Sequence, residues 1–226
     1  MPKSPDFLDY LHSLGAESII DKLSPYLTDD RKDRIIPVVD HRIKSIQAAV
    51  EDPSDIHNAL AIVRTSEALG LTDAHLIGEP RKGKGRQTMR GSDRWMNLHS
   101  HETLEGFQAE TKGLKIYGAT PRGEVSLDEI PLDKPCCFLF GNEKKGLTED
   151  ALKICDIRFT IPMYGFCESF NLSVAAAITL HHAVTQKRAI TDSTGDLSTE
   201  EKQMEIAWFY YKSAGKRLAD QIFAII

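Results

Sequence analysis

Apolar residues in this chain fall into short runs separated by polar, glycine-bearing turns, and the densest such stretch runs from Cys136 to Leu180. Cys136–Phe140 (CCFLF) is a short continuous apolar run, the mark of a strand buried on both faces, and it ends at Gly141. Phe159–Met163 reads as a second strand, followed by the polar loop Tyr164–Asn171 and an apolar helix from Leu172 to about Lys187. Upstream, Ile46–Val50, Ala74–Ile77 and Lys115–Ala119 read as strands, and Asn58–Gly70 and Glu102–Thr111 as helices. The β-α-β-α order predicts an α/β fold with a mostly parallel sheet covered by helices on both faces.

The ends of the chain follow a different rhythm. Ser4–Tyr26 carries apolar residues at spacings that suit two short amphipathic helices broken near Gly15, and Thr28 with Asp29 and Asp30 looks like the start of a third. Thr191–Thr199 is a polar linker by composition, and Ser198 with Glu201 has the capping-box spacing of a last helix striped by Met204, Trp208, Tyr211, Leu218 and Ile222. The expected organisation is a helical extension over 1–45, a central domain over 46–188, and a linker with a C-terminal helix over 189–226.

Composition narrows the class. The 226 residues have ordinary apolar and charged fractions and suit a soluble globular protein, with no signal sequence and no apolar run long enough to span a membrane. A cytoplasmic location is expected. Cys136, Cys137, Cys155 and Cys167 have neither a CxxC pair nor zinc spacing, so they read as reduced thiols, and no metal is expected. The formal net charge is −5, yet Arg81–Arg94 holds six Lys or Arg, among them Lys82, Lys84, Arg86, Arg90 and Arg94, against Asp93 alone. Such a stretch is either a phosphate-binding footprint or a solvated basic loop, and the basic run Arg31, Lys32, Arg34 poses the same choice. Neither GxGxxG nor GxxxxGK[ST] occurs, so a generic nucleotide-binding protein is disfavoured.

Candidate chemistry gathers in the turns. Asn142 and Glu143 follow the buried strand 136–140 at the sheet edge where open α/β proteins bind ligands, and Glu168, Ser169 and Asn171 stand in the loop before the apolar helix. Asn58 and Arg64 have an ordinary reading, with Asn58 capping its helix and Arg64 pairing with Glu67 one turn on.

Taken together, NALAIVRTSEALG (58–70), LFGNEKKGL (139–147) and IPMYGFCESFNLSVAAAI (161–178) resemble, in order and spacing, the three motifs of the SpoU (TrmH) family of RNA ribose 2′-O-methyltransferases. The flanks from about 29 to 188 are similar to the tRNA-modifying branch, which methylates guanosine 18 of the D-loop. Ile56 and Phe170 depart from the usual proline and leucine without removing a functional side chain. The resemblance implies a SPOUT fold with a C-terminal trefoil knot, S-adenosylmethionine held near Thr120, Gly141, Ile161, Met163, Ser169 and Leu172, and a homodimer with its active site at the subunit interface. It further implies that Arg64, supplied by the neighbouring subunit, clamps phosphate and stabilises the developing alkoxide, since a guanidinium does not serve as a base. Asn58 would orient Arg64 or the RNA, and Glu143, Ser169 and Asn171 would hydrogen-bond ribose and cofactor. Arg31, Arg34, Lys82, Lys84, Arg86, Arg90 and Arg94 then become tRNA backbone contacts. Two alternatives stay open: the same chemistry on ribosomal RNA, and a catalytically silent RNA-binding protein with this fold.

Overall fold

A computed structural model describes residues 5–78 and 95–224, which divide into two compact units, Ile43–Ser193 and the paired segments Met1–Arg42 and Thr194–Ile226. The larger unit is a seven-stranded sheet: β1 (Ile46–Glu51), β2 (Asp73–Ile77), β3 (Asn97–His101), β4 (Lys115–Ala119), β5 (Val125–Ser126), β6 (Cys136–Phe140) and β7 (Ile157–Thr160). Their order is β3-β2-β1-β6-β4-β7-β5, and every pairing is parallel. All carboxyl ends therefore open on one edge, and the order reverses at β1, where β6 inserts between β1 and β4.

The central strand explains why that order is stable. All of β6 is buried: Phe138 and Phe140 join the cluster under α4 (Ile56–Ala68) and α7 (Leu172–Thr191), while Cys137 and Leu139 join the one under α5 (Leu104–Glu110) and α6 (Glu149–Ile154). Phe138 also sets its ring edge-on to Tyr117 of β4 and Phe159 of β7, each at 5.7 Å between centroids. Such contacts add roughly 0.5–1.5 kcal/mol apiece beyond area burial. Helices thus cover both faces of a parallel sheet, as the β-α-β-α order predicts.

One expected strand shifts in register, and one strand lies outside the expectations. The strand expected over Phe159–Met163 is β7, Ile157–Thr160; the N–H of Thr120 bonds Phe159 O at 2.9 Å, and Pro162, which has no N–H to give, lies beyond the strand. β3 does not stand out as an apolar run because its sequence, NLHSH, is polar. Its residues pair with β2 through Asp73↔Asn97, His75↔His99 and Ile77↔His101. Three histidines are thereby stacked at one edge, with His75 4.7 Å from His99 and 5.2 Å from His101 between ring centroids. His75 reaches His101 at 2.9 Å and Gln47 at 2.7 Å, and Asp73 accepts from His99 at 2.8 Å, Asn97 at 3.0 Å and Thr72 at 2.6 Å.

The smaller unit is helical: α1 (Pro5–Leu14), α2 (Ala16–Leu23), α3 (Asp29–Asp40), α8 (Thr199–Ala214) and α9 (Lys216–Ala224). Thr28 caps α3, and Ser198 with Glu201 forms the expected capping box of α8. The apolar stripe of the last segment is broken at Gly215, with Trp208 and Tyr211 buried in α8 and Ala219 and Phe223 in α9. Gly195 lies so close to the backbone of Asp40 and Arg42 that a Cβ would stand 2.4 Å from Asp40 O, while Lys202 pairs with Asp40 at 2.8 Å.

Burial, then the charges of His99 and His101, push His75 down to about 3; burial also lowers His101. Burial opposes the charge on His99, but the carboxylates of Asp73 and Glu110 raise it overall. Above the ordinary histidine value of 6.5 the two depressed rings cost nothing. Below it, the unfolded chain takes up protons that the folded cluster refuses, whereas His99, whose folded form protonates first, has completed its gain by 6.5 and adds nothing further on the descent. Because the two depressed rings lose stability there and His99 no longer offsets them, thermal unfolding midpoints should fall between pH 7 and pH 4. His75→Leu, though less stable at pH 7, should lose less on acidification than the parent chain; an equal or greater loss would show that this cluster does not set the acid response.

Candidate functional site

The loops after β1, β4, β6 and β7 meet at the carboxyl edge, beside the point where the strand order reverses, which is where open α/β sheets bind ligands. A cavity of about 900 Å³ opens there. Its lining includes Thr120, Gly141, Ile161, Met163, Ser169 and Leu172, together with Glu143 and Glu168. Arg122, Lys144 and Lys145 also line it, three cations that motif spacing alone does not single out.

Asn58, Glu143 and Asn171, far apart in sequence, are joined by hydrogen bonds. Asp55, and not Asn58, caps α4, accepting from the His57 N–H at 2.8 Å. With Asp55 at the cap, Asn58 falls inside the first turn, and its side chain is released from capping. Asn58 Nδ2 donates to Glu143 Oε1 at 2.9 Å, and Asn58 Oδ1 accepts from Asn171 Nδ2 at 3.4 Å. Asn171 is itself fixed as the cap of α7, where its Oδ1 accepts from the Ser173 N–H at 2.9 Å and the Val174 N–H at 3.4 Å. Glu143 also accepts from the Ser54 N–H at 2.7 Å, from the Ser54 hydroxyl, and from the Asp55 N–H at 3.3 Å. Burial works to raise the Glu143 carboxyl, but the donors from Ser54 and Asn58 outweigh it and hold the group at about 2.

Two further anchors shape the loop after β6. Asn142 Nδ2 donates to Asp52 O at 2.7 Å, and its Oδ1 accepts from the N–H groups of Lys144 and Lys145. Asp52 adopts a left-handed backbone (φ 39°), a conformation uncommon outside glycine. Glu51, buried at the end of β1, accepts from the Thr148 N–H at 2.9 Å and hydroxyl at 2.6 Å, and Thr148 in turn caps α6. The glycine at 141 answers to this loop: a Cβ there would stand 2.2 Å from Gly146 C and Leu147 N. Its bare backbone thus admits its own loop first, closed by mutual bonds of Asn142 and Gly146 at 3.0 and 2.8 Å.

Arg64 stands on the exposed side of α4, outside the cavity lining. Ser169 is exposed on the cavity wall. Arg31 and Arg34 are exposed on α3 of the smaller unit, while Lys82, Lys84, Arg86, Arg90 and Arg94 lie outside the described residues. Among the described residues no group of histidine, cysteine or carboxylate side chains could hold a metal ion, and no helix is long and apolar enough to cross a membrane.

Comparison with known proteins places this geometry. Residues 45–181 match the model of the SpoU rRNA Methylase family. The tRNA (guanosine(18)-2′-O)-methyltransferase of Thermus thermophilus is 35% identical over 165 residues, 71% of this chain and 84% of that protein. The crystal structure of an Aquifex aeolicus TrmH/SpoU tRNA modifying enzyme superposes with a TM-score of 0.71 at 29% identity, covering 81% of this chain and 96% of the other. An AdoMet-bound rRNA methyltransferase from Sinorhizobium meliloti superposes with a TM-score of 0.57 at 26% identity, covering 62% of this chain and 56% of the other.

The packing at Gly141 is directly testable. In Gly141→Ala the added methyl meets fixed backbone, so a loss of at least about 2 kcal/mol is expected. Chemical denaturation should show it; a change below about 0.5 kcal/mol would mean that the loop relaxes freely.

Proposed function

The chain belongs to the SpoU rRNA Methylase family, and from that premise we propose that it methylates the ribose 2′-hydroxyl of tRNA, at the D-loop guanosine 18, using S-adenosylmethionine. The joining of Asn58, Glu143 and Asn171 beside a cavity at the sheet's carboxyl edge carries this reading. The substrate follows the tRNA-modifying relatives, whose similarity extends over most of both chains, whereas the ribosomal relative matches this chain over a smaller part of its length.

The cavity suits the cofactor in size and in chemistry. Its volume fits a nucleoside-sized ligand. Ile161, Met163 and Leu172 give it apolar walls for a purine, while Glu149, Glu168, Lys144 and Lys145 provide charges of both signs for a zwitterion with a cationic centre. Thr120, Gly141 and Ser169 complete the proposed set, and the loops that hold it are those expected to carry the trefoil knot. Bound there, S-adenosylmethionine supplies an electrophilic methyl group.

The protein's share is alignment and electrostatics. Asn58 and Asn171 each retain one side-chain N–H beyond the bonds that hold them, and these donors orient the ribose. Arg64 clamps the neighbouring phosphate and stabilises the developing alkoxide. Because Arg64 does not line the cavity of its own chain, it acts in the site of a second copy. A homodimer also accounts for the outer face of α7, where Val174 and Ile178 are exposed, and for the exposed Tyr164, Phe166 and Phe170 before it. The exposed Arg31 and Arg34 and the basic stretch Arg81–Arg94 contact the tRNA backbone, and the enzyme works in the cytoplasm with its substrate.

Labelled methyl transfer to unmodified tRNA transcripts, with the product mapped by blocked alkaline cleavage, should give one stop at guanosine 18. Arg64→Ala should lower kcat about 100-fold or more with tRNA still bound. Mixing Arg64→Ala with Asn171→Ala subunits should restore part of the activity, because one of the two mixed sites is then intact. Transfer to ribosomal RNA alone would move the substrate; no transfer to any RNA would favour a silent binding protein.

A further inference from the structure

Glu143 is surrounded more completely than a residue that must meet substrate can be. An ionised carboxylate offers about four lone-pair positions. Here Oε2 accepts from the Ser54 N–H and hydroxyl, and Oε1 from the Asp55 N–H and Asn58 Nδ2. All four donors come from the β1–α4 segment, whereas Glu143 belongs to the loop after β6. The contact therefore ties two loops of the carboxyl edge together and leaves the carboxylate no acceptor position for a ribose hydroxyl.

Ser54 is the residue that sets this arrangement. It gives two of the four donors, both to the same oxygen, and so fixes the rotation of the carboxylate and with it the direction in which Oε1 faces Asn58. Asn58 then passes the orientation on: with Nδ2 committed to Glu143, its Oδ1 is turned to accept from Asn171 Nδ2 at 3.4 Å. The far end is pinned independently, because Asn171 Oδ1 is held by the first turn of α7. The order Ser54, Glu143, Asn58, Asn171 thus runs between two fixed points.

We propose that Ser54 is a positioning residue of the methyl-transfer site: through Glu143 it orients the Asn58 amide, and Glu143 serves as the hub of that relay and takes no proton from the ribose. This assignment rests on the methyltransferase reading above. The depressed titration of Glu143 agrees with it, since a carboxyl held near 2 is a poor proton acceptor at neutral pH.

The test uses the full chain, first without cofactor. In ¹⁵N-labelled protein the Asn58 side-chain amide pair is identified by its loss in Asn58→Ala. It should shift or broaden in Ser54→Ala and keep its position in Ser54→Thr, with thermal midpoints of the Ser54 variants within a few degrees of the parent. An unmoved Asn58 signal in Ser54→Ala overturns the relay. In methyl transfer, Ser54→Ala should lower kcat about tenfold while KM for tRNA stays within about twofold, and Ser54→Ala/Asn58→Ala should be no slower than Asn58→Ala alone. Losses that multiply would overturn the proposal. So would an acid limb of kcat that moves upward in Ser54→Ala, because removing the hydroxyl donor raises the Glu143 carboxyl and only a base would report it. If the parent chain transfers methyl to no RNA, the methyltransferase reading fails, and the Asn58 signal alone still decides whether Ser54 orients that amide.

Discussion

The insertion of β6 between β1 and β4 is the constraint on which the rest of the larger unit depends. A strand apolar on both faces can lie only in the middle of a covered sheet, and its side chains enter both core clusters at once. With CCFLF in that place, its carboxyl end falls between the ends of β1 and β4, so the polar residues that follow are delivered to the reversal point. Burial also pushes the Cys136 thiol up to about 12. These cysteines act as small apolar groups in the core and offer no thiolate chemistry.

Carboxylates do much of the joining around this centre. Glu51 ties the end of β1 to the cap of α6, Glu143 ties the loop after β6 to the start of α4, and Asp73 gathers Thr72, Asn97 and His99 at the sheet edge. Each accepts from several donors, which is how the charges of the buried Glu51 and Asp73 are tolerated away from bulk water. Burial works against the charge of Asp73, yet those hydrogen bonds hold it at about 2. An acidic chain therefore keeps some of its negative charge inside as struts, which is why a formal net charge of −5 says little about the surface an RNA would meet.

The strands and contacts that are legible in the sequence differ physically from those that are not. β4 and β6 are legible because a mostly apolar run of five residues between turns suits a covered strand and is too short for a helix of ordinary length. β3 is not, because it is a half-exposed edge strand whose histidines are satisfied by one another and by Asp73, a pairing that exists only after β2 lies beside it. The cap of α4 falls at Asp55 and not at the expected Asn58 because the two are equally good capping residues, and the choice is made by Glu143, which arrives from a distant loop. The site is legible only through three motifs in register; no spacing within the chain says that residues 58, 143 and 171 touch.

The saturation of Glu143 bears on where the ribose proton goes in the proposed reaction. A guanidinium such as that of Arg64 offers no acceptor site, Asn58 and Asn171 have no basic group, and Glu143 has its lone pairs engaged and its carboxyl held low. No side chain in that set is built to receive a proton near neutral pH. The methyl donor is already strongly electrophilic, so the hydroxyl needs to lose its proton only as the new bond forms, and the surrounding water can carry it to bulk solvent then. The selection on such a site is for alignment more than for basicity, and a rigid relay of hydrogen bonds between two pinned ends is what alignment requires.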